Sequence, residues 1–108
     1  MALTYKTEWE LRALKGNQLV ARLKYKRSEF PWMIYTFEPT DDFEDVRYLF
    51  DEERALREQV YMNEDDMNEW GKAWQAIVQG FSLIAVGETE PVETFNLRIE
   101  GDIAYLNV

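Results

Sequence analysis

The side chains that could do chemistry here are carboxylates and aromatic rings, because the chain has no histidine and no cysteine. Without His, the commonest general base and the commonest transition-metal ligand are missing. Without Cys there is no disulfide, thiolate nucleophile or thiolate metal site. Ser-His-Asp and Cys-His constellations are excluded. What remains is acid/base work by Asp or Glu, hard-cation binding, and recognition through aromatic surfaces.

The acids cluster. Asp41, Asp42 and Asp45 lie beside Glu38 and Glu44, and Glu64, Asp65 and Asp66 follow a short distance on. Both groups read as helix starts, where carboxylates suit the positive end of the helix dipole. Together they also offer a contact face for a basic protein partner. Asn63-Glu64-Asp65-Asp66 does not continue as a calcium loop, because Met67 and Asn68 stand where an oxygen ligand and Gly are required.

The aromatic set is Trp9, Phe30, Trp32, Tyr35, Phe37, Trp70, Trp74 and Tyr105. Such rings line pockets, and at strand and helix spacing they equally form a core. Trp32 and Tyr35 point to opposite faces of one strand, so one of them can lie outside a helix-covered layer. Glu38 directly follows that apolar strand and is the acid best placed for desolvation. Trp32, Tyr35 and Glu38 are therefore the candidate ligand pocket. No glycine-rich phosphate loop, G-x-S-x-G or H-E-x-x-H occurs. No catalytic set, metal site or cofactor is expected.

The net charge of −9 disfavours contact with nucleic-acid phosphates and anionic membranes. It is uneven. Residues 1–36 hold seven basic and three acidic side chains, whereas residues 38–69 hold thirteen acids against Arg47, Arg54 and Arg57. No run approaches the ~20 apolar residues of a membrane span, and Met1 to Trp9 has no leader-like pattern. A soluble cytoplasmic protein, monomer or homodimer, is the expectation.

The elements that must position these groups follow from periodicity. Residues 5–13 alternate with Tyr5, Thr7, Trp9, Leu11 and Ala13 on one face. Lys15-Gly16-Asn17 turns the chain into a strand with Leu19, Ala21, Leu23 and Tyr25 inside and Val20 outside. Pairing Leu11 with Ala21 and Ala13 with Leu19 keeps both apolar sets together. Phe30 to Phe37 is apolar on both faces, with Pro31 at its start. Thr40 reads as an N-cap, followed by a helix carrying Phe43, Val46, Leu49, Phe50 and Leu56 inside and the pair Glu53/Arg57 outside. Asn63 caps a second helix with Met67, Trp70, Trp74, Ile77 and Val78 as its buried stripe, ending at Gly80. A strand over 81–86 and a loop over 87–91 precede a final hairpin. There a Gly101-Asp102 turn pairs Ile99 with Ala104 and Leu97 with Leu106, and sets Arg98 against Tyr105 on the outer face. Three strands, two helices and three strands predict a single α+β domain of two layers. An antiparallel sheet of about six strands carries two helices on one face.

The pieces Phe30-Pro31-Trp32 and Phe37-Glu38-Pro39-Thr40, with the closing Ile99-Glu100-Gly101-Asp102-Ile103-Ala104-Tyr105, resemble a group of small uncharacterised bacterial proteins. The resemblance implies a bacterial single-domain protein and carries no activity, ligand or partner. The leading functional expectation is a non-enzymatic interaction or regulatory domain that uses the acidic helical surface. The alternative is a small-molecule binding domain, or a carboxylate enzyme, with an aromatic pocket around the third strand.

Overall fold

The structure is a computed structural model that describes residues 7–62 and 67–107. Its elements are β1 (Glu8–Ala13), β2 (Leu19–Glu29), β3 (Trp32–Pro39), a 3-10 helix (Asp41–Asp45), α1 (Arg47–Met62), α2 (Met67–Gly80), β4 (Phe81–Ala85), β5 (Asn96–Glu100) and β6 (Ile103–Asn107). The expected helix start at Asn63, Glu64, Asp65 and Asp66 lies outside the described residues. Among the described residues no helix is long and apolar enough to cross a membrane.

The six strands form one antiparallel sheet, curled into a half-barrel, in the order β4-β1-β2-β3-β6-β5. The first three strands stay adjacent, whereas the last three split between the two edges, which corrects a simple strands-helices-strands layering. α2 returns the chain to the β1 edge, where the Leu14 amide donates to the Gly80 carbonyl over 3.0 Å. β4 pairs there with β1, and the β5–β6 hairpin fills the opposite edge against β3. Period-two alternation orients a strand's faces but does not choose its edge.

Registers agree with expectation where a turn sets them. The last hairpin pairs Ile99 with Ala104, Leu97 with Leu106 and Arg98 with Tyr105. The first hairpin pairs Leu11 with Ala21 but then Arg12, not Ala13, with Leu19. Val20 is the extra residue of this bulge, and it is buried rather than outward-facing. A second bulge lies between Tyr25 and Arg27. Bulges bend a strand and increase its twist, in keeping with the curl of the sheet.

The inner face carries Trp9, Leu11, Leu23, Tyr35, Phe37, Leu83, Leu97 and Leu106, closed by Phe43, Phe50 and Ile77 from the helical segment. A chain of ring contacts crosses it. Phe37 meets Phe43 at 5.0 Å, Phe43 meets Phe50 at 5.5 Å, and Phe50 meets Phe81 at 5.3 Å between centroids. Each such pair adds about 0.5–1.5 kcal/mol beyond area burial. The contacts link β3 to β4 although β2 and β1 lie between them in the sheet.

Two helix expectations change. Thr40 has extended backbone before the 3-10 helix but makes no side-chain cap. Its hydroxyl donates instead to the Leu19 carbonyl over 2.7 Å, tying the segment to β2. α1 begins only at Arg47, with no acid in its first turn. Glu53 and Arg57 are not outside: they are 2% and 7% exposed. They continue the stripe of Phe50 at i+3 and i+7, so helical spacing turns them inward with it.

Candidate functional site

β5 is an edge strand, and alternation makes its two faces chemically different. Leu97 and Ile99 enter the core, while Asn96, Arg98 and Glu100 face the other way. On that outer face the register brings Tyr105 opposite Arg98 and Asn107 opposite Asn96. Trp32, at the start of β3, meets Tyr105 edge-on at 6.4 Å. The Arg98 guanidinium lies over the Trp32 ring, 4.7 Å from its centroid. Such a cation–π contact holds a guanidinium by its flat face.

α1 and α2 supply the rest. The Trp70 indole nitrogen donates to Glu53 Oε2 over 2.9 Å, and Arg57 Nη2 donates to Glu53 Oε1 over 3.3 Å. Arg57 Nε sits 3.1 Å from Glu53 Oε2, outside hydrogen-bonding geometry. Arg57 Nη1 reaches Glu100 at 3.5 Å. Trp74 follows Trp70 by one helical turn and packs against the core.

These residues border a solvent-open cavity of about 170 Å³, lined by Trp32, Glu53, Trp70, Trp74, Asn96, Leu97, Arg98 and Asn107. A second cavity of about 190 Å³, on Arg57, Val60, Met67, Trp70 and Arg98, shares Trp70 and Arg98 with the first. A cavity of roughly 150 Å³ can hold benzene, so the first has room for one ring. Its chemistry is three indoles, two carboxamides, one stacked cation, and a carboxylate already engaged by Arg57 and Trp70. That equipment recognises and orients. The described residues bring no three carboxylates together as metal ligands.

The sequence-derived pocket is not assembled as a unit. Trp32 is at the cavity. Tyr35 is on the opposite face, 1% exposed, and its hydroxyl accepts from Trp9 Nε1 over 2.9 Å. Glu38 is exposed and pairs with Lys24 at 3.3 Å. Asp41, Asp42 and Asp45 are exposed on the 3-10 helix, and Glu64, Asp65 and Asp66 lie outside the described residues. Within the first cluster Glu44 is bound by Arg47 at 2.7 Å. Hydrogen bonds from Arg47 hold the Glu44 carboxyl below its ordinary pKa, helped by the opposite charge. The same hydrogen bonds raise Arg47.

Sequence reasoning missed Glu53, Asn96 and Asn107 beside Trp32 and Arg57 beside Glu53; Trp70 and Trp74 stood in the aromatic set that could line a pocket or form the core. One signal was available. Phe50, Glu53 and Arg57 share one helical stripe, so two charged residues stand where apolar ones are expected. The Arg98–Tyr105 pair was also legible. Their convergence with Trp32 depends on β6 docking against β3.

Searches of the chain against protein-family models, curated proteins and solved structures return no match. The functional reading therefore rests on the site.

Proposed function

We propose that the protein is a small-molecule binding domain that takes a single planar ring in the cavity at the β5 edge. The observation that carries this reading is the convergence of Trp32, Trp70 and Trp74 around about 170 Å³ of space beside the buried Glu53–Arg57 pair. Burying an ion pair is often no better for stability than packing apolar side chains of the same volume. Here Glu53 fixes the Trp70 indole at the cavity, so the pair positions one of its walls. The cavity's indoles offer flat apolar faces and its Asn96, Arg98 and Asn107 offer polar contacts, and ligand sites combine the two. The acidic surface has weaker support, because Asp41, Asp42 and Asp45 lie exposed on one short 3-10 helix and line neither cavity.

The test is an NMR titration with single-ring compounds, reading the indole N–H signals. The chain has four tryptophans, and Trp9 lies in the core on β1, with β2, β3 and β6 between it and β5. Signals of Trp32, Trp70 and Trp74 should move while that of Trp9 stays. No movement, or equal movement of all four, would overturn the proposal.

A further inference from the structure

We infer that the ring carries a carboxylate and that Arg98 selects it; this rests on the ligand-binding reading above. Two arginines flank the cavities, and their surroundings differ. Arg57 is bracketed by Glu53 at 3.1 Å and Glu100 at 3.5 Å. Arg98 is half-buried, lines both cavities, and has no carboxylate partner among the described residues. Glu100, the acid two residues along the same strand face, is turned to Arg57.

Arg98 is nonetheless held in place. Its face rests on Trp32 at 4.7 Å. Stacking occupies the flat face of a guanidinium and leaves its N–H donors pointing outward in the plane. Those donors match the two oxygens of a carboxylate, which arginine binds in bidentate fashion. The cavity beside them has room for one ring, and the indoles of Trp70 and Trp74 offer it apolar walls. The chain as a whole carries −9, so a cavity-lining cation with no carboxylate partner among the described residues is a local exception. A neutral ring would leave the Arg98 donors without a carboxylate of their own, and a cationic ring would meet the guanidinium directly.

Benzoate, benzamide and benzylamine have nearly the same size and differ in charge, so they separate the inference from the reading beneath it. Each is titrated into the wild-type protein and into the Arg98→Gln and Arg98→Lys variants, with the Trp70, Trp74 and Trp9 indole signals as readout. Benzoate should bind the wild type about tenfold or more tightly than benzamide, the size expected for a charge-assisted hydrogen bond. Benzylamine should bind weakest. Arg98→Gln should bring benzoate down to the level of benzamide in the same variant, while Arg98→Lys should retain part of the preference. An unmoved Trp9 signal shows that the variants are folded. Equal binding of benzoate and benzamide by the wild type would overturn the inference and leave the cavity reading standing. A preference for benzoate that is equally strong with and without Arg98 would do the same. Failure of all three rings to bind would overturn both.

Discussion

Glu53 of α1 and Trp70 of α2 are joined by a hydrogen bond of 2.9 Å, and the same carboxylate holds Arg57 one helical turn away. One buried acid thus ties the two helices together and sets the indole that walls the cavity. Packing, charge and the candidate site meet in these three side chains.

Breaking this pair from one side should be costly. Arg57→Met leaves the Glu53 carboxylate buried without its cation, a change that typically destabilises by about 3–5 kcal/mol. The double variant Glu53→Leu/Arg57→Met removes both charges and should lose much less. Urea unfolding of both variants measures the difference. A double variant no more stable than Arg57→Met would show that the pair is not acting as a compensated unit.

Trp70→Phe retains a ring but deletes the indole donor. Glu53 Oε2 then loses its 2.9 Å bond, and the expected cost is about 1–3 kcal/mol. The effect should be strongly non-additive with Arg57→Met, because both act on one carboxylate. A thermodynamic cycle over the two single variants and the double variant gives the coupling.

Tyr35→Phe should separate stability from binding. It removes the acceptor of the buried Trp9 N–H, again about 1–3 kcal/mol. Tyr35 lies on the core side of β3 and Trp32 on the other. Ring binding at the β5 edge should therefore be unchanged in an NMR titration, whereas chemical denaturation should show the loss.

The Glu44–Arg47 pair predicts a pH dependence of definite sign. The folded Glu44 pKa is lowered by Arg47. Its stabilisation is therefore present above the unfolded carboxylate value of about 4.3 and is lost as pH falls through the folded value. Arg47 stays charged throughout. The group is fully exposed, so the effect is small. Wild type and Glu44→Gln should differ slightly in thermal stability at pH 7 and converge near pH ~3. A gap that widens on acidification would contradict this sign.

The triple variant Asp41→Asn/Asp42→Asn/Asp45→Asn addresses the acidic surface. A long helix starting at Asp41 would lose favourable dipole interactions. With α1 starting at Arg47 instead, the melting temperature should stay near that of the wild type, as for ordinary surface changes of about 0.5 kcal/mol or less. The variant also tests a basic protein partner on this face. Recovery of such a partner at low salt should drop if the face is a contact, and equal recovery would count against it.

Much of the local structure was legible because it depends on near neighbours. Ile99, Ala104, Leu97 and Leu106 alternate about a two-residue turn, and alternation with turn length leaves one register. Trp70, Trp74 and Ile77 follow a helical period, and the helix is there. Val20 was misplaced because a bulge inserts one residue without a mark in the hydrophobic pattern. The first helix was started too early because Thr40 and the acids after it are good helix-start residues. The tie from Thr40 to Leu19 is a long-range contact.

By itself the sequence determined which chemistries are absent, that six strands and two α-helices form, and which face of most strand positions is apolar. These follow from side-chain type and from periods of 2 and 3.6 residues. Only the tertiary structure decided that β4 joins β1 and β6 joins β3, that Glu53 and Arg57 turn inward, and that Trp32 meets Arg98, Trp70 and Trp74. Those outcomes depend on how a curled sheet is closed by its helices. That closure is a property of distant segments packing together, and no local pattern encodes which edge each segment finds.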